Sequence, residues 1–158
     1  MLLFDRLHRT IAHARRNDEL FVLLIIDLDR FKEVNERWGQ DAGDRVLRIV
    51  AERFAAALRS TDSLARMGGD VFAAIAEGLM FGDDVEPVVQ KLRGALASPI
   101  SLAGEALHLG ATIGMALFPA SGEDAEALYR AAETALRQAK EKHRGGLVIF
   151  EPGIGAGG

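Results

Sequence analysis

The chain has 158 residues, 49% apolar and 27% charged, with no cysteine and a formal net charge of −4 at pH 7. That length fits one domain with a substantial core, and the absence of cysteine excludes disulfides and thiolate chemistry and agrees with a cytoplasmic setting. A net negative chain lacks the broad basic surface that a nucleic-acid polymer needs, so a polyanionic ligand must be small and held by a few local cations.

The first ten residues, M-L-L-F-D-R-L-H-R-T, carry charges in their first turns and no cleavage pattern, so they are not read as a signal peptide. Phe4, Leu7, His8 and Ile11 stand at helical spacing and predict an amphipathic helix over residues 1–16. His8 and His13 have no third ligand nearby and read as partly exposed helix residues. Leu20 to Ile26 is an unbroken apolar run, too short to span a bilayer and typical of a strand buried on both faces. No membrane contact is expected of this fragment. Asp27-Leu28-Asp29 emerges where that strand ends.

The following R-F-K-E-V-N-E-R-W-G predicts a short helix, with Asp29 as its N-cap and Gly39 as its stop. Val46, Leu47, Val50, Phe54 and Leu58 form one stripe of a helix running from Asp44 to Arg59. Next comes A-R-M-G-G-D-V-F-A-A-I-A-E, two apolar runs joined by Gly68-Gly69-Asp70. Consecutive glycines adopt positive φ without steric cost, so this stretch reads as a β-hairpin with a carboxylate at its tip. Gly78 to Gly82 is expected to be a loop, and Asp83 or Asp84 to cap a helix carrying Val85, Val88, Val89, Leu92 and Leu96, with Pro87 in its tolerant first turn.

Ala106 to Phe118 reads as one long strand or a bent pair, with Gly110 and Gly114 marking bulges or close backbone approach. Ser121-x-x-Asp124 is a capping signal for a helix bearing Leu128, Ala131, Ala135, Leu136 and Ala139. Leu147 to Phe150 is the last strand, and the Gly-rich residues 151–158 read as a linker or tail. Strands interleaved with helices, with one hairpin among them, predict an α+β sandwich: a central mixed sheet flanked by helices. Asp27 at a central strand end and Asp70 at a hairpin tip are carboxylates that adjacent strands would bring together, and paired carboxylates suit a hard divalent cation.

In order and spacing, D-L-D-R-F-K-E-V-N-E-R-W-G-Q-D-A-G-D-R-V-L, R-S-T-D, A-R-M-G-G-D-V-F, T-I-G-M-A and A-K-E-K-H-R resemble the GGDEF domain of diguanylate cyclases. The resemblance covers roughly Asp5 to Phe150, so residues 1–150 are expected to form one such domain with residues 1–16 as its leading helix. It implies a sheet related to the palm of nucleotidyl cyclases and a reaction joining two GTP molecules into cyclic di-GMP within a homodimer. It further implies Mg2+ or Mn2+ held by Asp27, the Leu28 carbonyl and Asp70, the last also catalytic. Guanine would be read by Asn35 and Asp44, and phosphates held by Lys32, Lys140, Arg144 and the backbone at Phe31, beside Gly68 and Gly69. Taken alone, Lys140 and Arg144 read as an ordinary cationic last helical turn. Arg59-Ser60-Thr61-Asp62, with Arg66, resembles the family's inhibitory cyclic di-GMP site, where the planar arginine fork suits guanine and phosphate.

One departure matters most. The fourth signature letter is Val71 where the family has glutamate, and valine neither coordinates metal nor accepts a proton. Losing one preorganised electrostatic group costs roughly 3 to 4 kcal/mol, about a thousandfold in rate. Lesser departures are Glu36, Gln40, Glu133, Arg137 and His143. The expectation is a degenerate domain that binds GTP with metal, cyclic di-GMP, or both, beside an EAL or sensor domain in a parent protein that is itself free to be membrane-anchored. The alternatives are a weakly active cyclase and a structural dimerisation domain.

Overall fold

The computed structural model describes residues 2–80 and 84–142 and the backbone of 147–149. In chain order the elements are α1 (Leu2–Asn17), β1 (Leu20–Leu28), α2 (Phe31–Trp38), α3 (Gln40–Ala57), β2 (Ser63–Gly68), β3 (Val71–Leu79), α4 (Val85–Ala95), β4 (Ile100–Leu102), β5 (Glu105–Leu107), β6 (Ala111–Phe118), α5 (Ala125–Lys142) and β7 (Leu147–Ile149). The expected tail at 151–158, and Asp83 and Phe150, lie outside the described residues. The main sheet runs β2-β3-β1-β6-β7, and β4-β5 form a separate two-stranded hairpin. Strand β1 is antiparallel to both β3 and β6, while β7 joins parallel to β6, giving the expected mixed sheet.

The apolar run of β1 is central because both of its faces are covered. Val22, Leu24, Ile26 and Leu28 pack with Val46, Val50, Phe54 and Leu92 on the side of α2, α3 and α4. Phe21, Leu23 and Ile25 pack on the other side with Leu7, Ile11, Leu128 and Ala132 of α1 and α5. Strand alternation therefore separates two helical layers with a single segment. Phe21 stacks on Phe118 at 4.9 Å between ring centroids, and Phe54 meets Phe72 edge-on at 5.4 Å, fixing the two faces.

Gly114 is a site of close approach, as its place in the strand suggests. A Cβ there would lie 2.3 Å from the Leu136 nitrogen and 2.4 Å from the Ala132 oxygen. Helix α5 thus rests directly on the backbone of β6, and Ala131, Ala132, Ala135 and Ala139 keep the rest of that seam thin.

Four expectations are corrected. Asp29 does not cap α2: Arg30 takes the cap position in left-handed geometry (φ 58°) with no side-chain cap bond. The Asp29 carboxylate instead accepts a 2.6 Å hydrogen bond from the Thr112 hydroxyl, because β1 continues to its end alongside β6. Helix α3 starts at Gln40, four residues before Asp44, because Gly39 (φ 90°) ends α2 and opens α3 in one residue. Ala106 to Phe118 is not one strand. Its first residues belong to the β4-β5 hairpin, which turns through Ala103 (φ 50°) and Gly104 (φ 81°). Gly78 lies inside β3 rather than in a loop.

Caps elsewhere are divided differently from expectation. Asp124 caps α5 by accepting the Ala127 N–H at 2.8 Å, whereas Ser121 Oγ accepts the Leu117 N–H. Asp84 sits at the start of α4 but accepts from Met80 N–H behind it, with no cap bond into the helix.

Because backbone atoms, not a movable side chain, face Gly114, Gly114→Ala is expected to lower unfolding stability by about 3 kcal/mol in urea titration. A loss below about 0.5 kcal/mol would show that α5 is not seated on β6.

Candidate functional site

The site grows from the end of β1. In β1, Asp27 lies opposite Val71 of β3 and Thr112 of β6 and is 8% exposed. It follows Phe21, Leu23 and Ile25 in alternation, so it faces the α1/α5 layer. The hairpin between β2 and β3 turns through Gly68 (φ 132°) and Gly69 (φ 54°), and a Cβ on either would meet nothing within 4 Å. The Leu28 N–H donates to the Asp70 carbonyl at 3.1 Å, which clamps the hairpin tip to the end of β1. Asp70 and Asp27 are thereby brought together. Burial raises the Asp70 carboxyl above its ordinary value, and the Asp27 charge and a hydrogen bond with it add to the rise; the Lys140 charge opposes them.

Lys140 reaches this pair from α5 and forms an ion pair with Asp27 Oδ2. Its position follows from the fold, since it stands one helical turn beyond Leu136, the residue against Gly114. Two hard carboxylates, with Leu28 next in the chain and open space at the two glycines, fit a Mg2+ or Mn2+ that keeps waters or substrate oxygens on its remaining positions. Among the described residues, no group of three or more Asp, Glu or His is arranged as a metal cluster.

The N-terminus of α2 opens just beyond β1. With no side-chain cap, the Phe31 and Lys32 N–H groups are left for an anion, while the Glu33 N–H donates to the Arg30 carbonyl at 3.0 Å. Lys32 is exposed on that first turn, while the Phe31 ring is buried, so only the Phe31 backbone is placed to meet a ligand. Asn35 leans across the α2/α3 crevice: a Cβ at Gly43 would lie 1.8 Å from Asn35 Oδ1. Asp44 is exposed beside it on α3. Gly43 is a residue that sequence reasoning passed over, although it stands inside the motif run D-A-G-D. Arg144 lies outside the described residues.

At Arg59 and Asp62 the motif is closed on itself. Arg59 N–H donates to Asp62 Oδ2 at 2.9 Å, Arg59 Nε donates to the same oxygen at 3.4 Å, Arg59 Nη2 donates to Asp62 Oδ1 at 3.1 Å, and the Glu77 N–H adds a fourth bond at 3.3 Å. The Asp62 side chain is only 2% exposed, and Arg59 also donates to the Glu77 carbonyl. Arg66 instead turns to the hairpin and donates to the Gly69 carbonyl at 3.2 Å. Asp62 and Arg66 line a cleft of about 580 Å3 with Arg6, whereas Arg59 lines a different cleft with Arg53 and Lys91. The three residues therefore do not converge on one cavity. Arg6, Arg53 and Lys91 carried no signal in the sequence beyond helical surface charge.

A five-stranded mixed sheet with an acidic pair where its central strand meets a Gly-Gly hairpin defines the class, an α+β domain with its site at strand ends. The chain matches the family described as diguanylate cyclase, GGDEF domain, across residues 1–146, and it belongs to that family of cyclic di-GMP signalling domains. It is 37% identical over 156 residues to the bifunctional diguanylate cyclase/cyclic di-GMP phosphodiesterase MucR of Pseudomonas aeruginosa, covering 99% of this chain and 23% of MucR. The crystal structure of the GGDEF domain of TpbB (YfiN) from the same organism superposes with a TM-score of 0.90 at 36% identity, covering 95% of this chain and 94% of that one. The GGDEF domain of DgcB from Caulobacter crescentus, solved in complex with c-di-GMP, gives 0.81 at 25% identity, covering 92% and 86%. The chain spans between about a fifth and a third of the length of the curated relatives it matches. Among the described residues, no helix is long and apolar enough to cross a membrane.

Glu77 supplies a pH test of the knot around Asp62. Burial raises its carboxyl above the ordinary value; Arg6 and His13 lower it less, and Asp62 and Glu19 add to the rise. A raised folded pKa means the charged form is disfavoured in the fold, so stability is fullest below the unfolded value and falls as pH rises through the folded one. Glu77→Gln is therefore expected to melt higher than the parent at about pH 7, with the gap closing at about pH 4. A lower melting temperature for the variant at the higher pH would contradict it.

Proposed function

We propose that this chain is a degenerate GGDEF domain that binds GTP with Mg2+ or Mn2+, cyclic di-GMP, or both, and acts as a regulatory module. One observation carries the reading, the cross-strand pair of Asp27 and Val71. Where the family signature has glutamate, directly across from Asp27, this chain has an isopropyl group packed on the α1/α5 core with Phe4, Met67 and Tyr129. The acidic complement is two carboxylates, which is enough to hold a cation but lacks one group needed for turnover. At roughly 3 to 4 kcal/mol for one missing electrostatic group, the rate falls about a thousandfold while binding contacts persist.

In this reading Asp27, the Leu28 carbonyl and Asp70 hold the metal, which when bound supplies positive charge to the phosphoryl oxygens. Asn35 and Asp44 hydrogen-bond the guanine edge, an amide and a carboxylate matching its mixed acceptors and donors. Lys32, the first N–H groups of α2, Lys140 and Arg144 hold phosphates. Arg59, Asp62 and Arg66 bind cyclic di-GMP once the Arg59–Asp62 pair opens. Synthesis needs two such domains as a homodimer, the 3′ hydroxyl of one GTP attacking the α-phosphate of the other with pyrophosphate leaving. The clamped Asp27–Asp70 pair favours a second reading, a slow cyclase of that type. The name of MucR and the short span of this chain within it support a longer parent, itself free to be membrane-anchored, in which this cytoplasmic domain stands beside an EAL phosphodiesterase or sensor domain.

Calorimetry with GTP and Mg2+, and separately with cyclic di-GMP, tests the module. Saturable heat is expected for at least one ligand, with Asn35→Ala weakening GTP at least tenfold and leaving cyclic di-GMP unchanged. No heat with either ligand would overturn it and leave a structural role.

A further inference from the structure

Lys140 has two competing partners in this reading. Holding a nucleotide phosphate draws its ammonium toward the anion, whereas in the structure that ammonium sits on Asp27 Oδ2. A carboxylate whose side chain is 12% exposed needs a partner, and Lys140 is a cation that also offsets the charge of Asp70 beside it. It occupies Asp27 Oδ2, one of the two oxygens this carboxylate could offer a divalent cation. We propose that Lys140 is an internal counter-ion that keeps free divalent metal off Asp27 and Asp70 until a nucleotide triphosphate draws the ammonium away, so that metal and nucleotide enter together. The inference rests on the reading in which those two carboxylates hold the metal and Lys140 meets phosphate.

Three features of the fold carry it. Helix α5 is pinned at Gly114 by the backbone of Leu136, one turn before Lys140, so the root of this side chain is fixed. Its four-carbon stem is not fixed, and with the side chain 35% exposed the ammonium can swing from Asp27 toward solvent without moving the helix. The third feature is the residue across from Asp27. With Val71 across from Asp27, one ammonium leaves the two carboxylates a single net negative charge; a glutamate at that position would leave two and attract a divalent ion more strongly.

The test is a Mn2+ titration of the nucleotide-free protein, read by the electron paramagnetic resonance of free Mn2+, on the parent, Lys140→Met, Lys140→Gln and Lys140→Arg, each shown folded by its melting curve. Removing the charge with Met or Gln is expected to tighten Mn2+ at least tenfold, whereas Arg, which keeps the charge, stays within about twofold of the parent. Equal Mn2+ affinity in the parent and both neutral variants, including no binding to any, overturns the proposal. GTP calorimetry on the parent separates the two levels. If GTP with Mg2+ fails to bind while the neutral variants gain Mn2+, the nucleotide reading fails and the counter-ion role stands. If GTP binds and Mn2+ affinity does not change, the reverse holds.

Discussion

The structure depends on a contact from which a side chain is missing. At Gly114 the backbone of β6 meets the backbone of α5 with no room for a methyl group, and the alanines along the same face of α5 let the helix lie flat on the sheet. Everything that α5 contributes is set from there. Its apolar face closes one side of β1, and its last turn delivers Lys140 to Asp27. A helix held a few tenths of an ångström farther out would still bury its leucines, but it would present its cation elsewhere.

The site exploits the geometry of a central antiparallel strand. Strand β1 commits its even and odd residues to different helical layers, so the first polar residue to follow the run, Asp27, is nearly enclosed and has neighbours on both sides. The hairpin tip is then tied on by a single backbone bond from Leu28 to Asp70. One carboxylate at each candidate site is paired internally: Asp27 by Lys140, and Asp62 by Arg59 and the Glu77 amide. A ligand proposed at either place would have to displace such a pair, which favours a polyanion or a planar base that offers equivalent partners at once.

Much of this was legible in the residues. The buried central strand, the Gly-Gly hairpin, the close approach at Gly114 and the amphipathic α5 follow from short-range patterns, because each depends on alternation, helical spacing or a glycine requirement. Features set by distant partners did not show. Asp29 looks like a helix cap until Thr112, 83 residues away, takes its carboxylate. The β4-β5 hairpin turns through Ala103, in a conformation alanine seldom adopts, and Gly104, so a lone glycine was its only turn signal. Lys140 reads as a common helix-end cation, and only the packing of α5 reveals its partner. Arg59, Asp62 and Arg66 are close in sequence, yet hydrogen bonding sends Arg66 to Gly69 and away from Arg59.

The proposed function turns on one missing acid beside Asp27 and Asp70. Its position is defined, since residue 71 lies directly across from Asp27 on the face of α5. The decisive measurement is mass-spectrometric detection of cyclic di-GMP after incubating the protein and its Val71→Glu variant with GTP and Mg2+. The account predicts little or no product from the parent and a rise of at least a hundredfold in the variant. Comparable synthesis by both would contradict it.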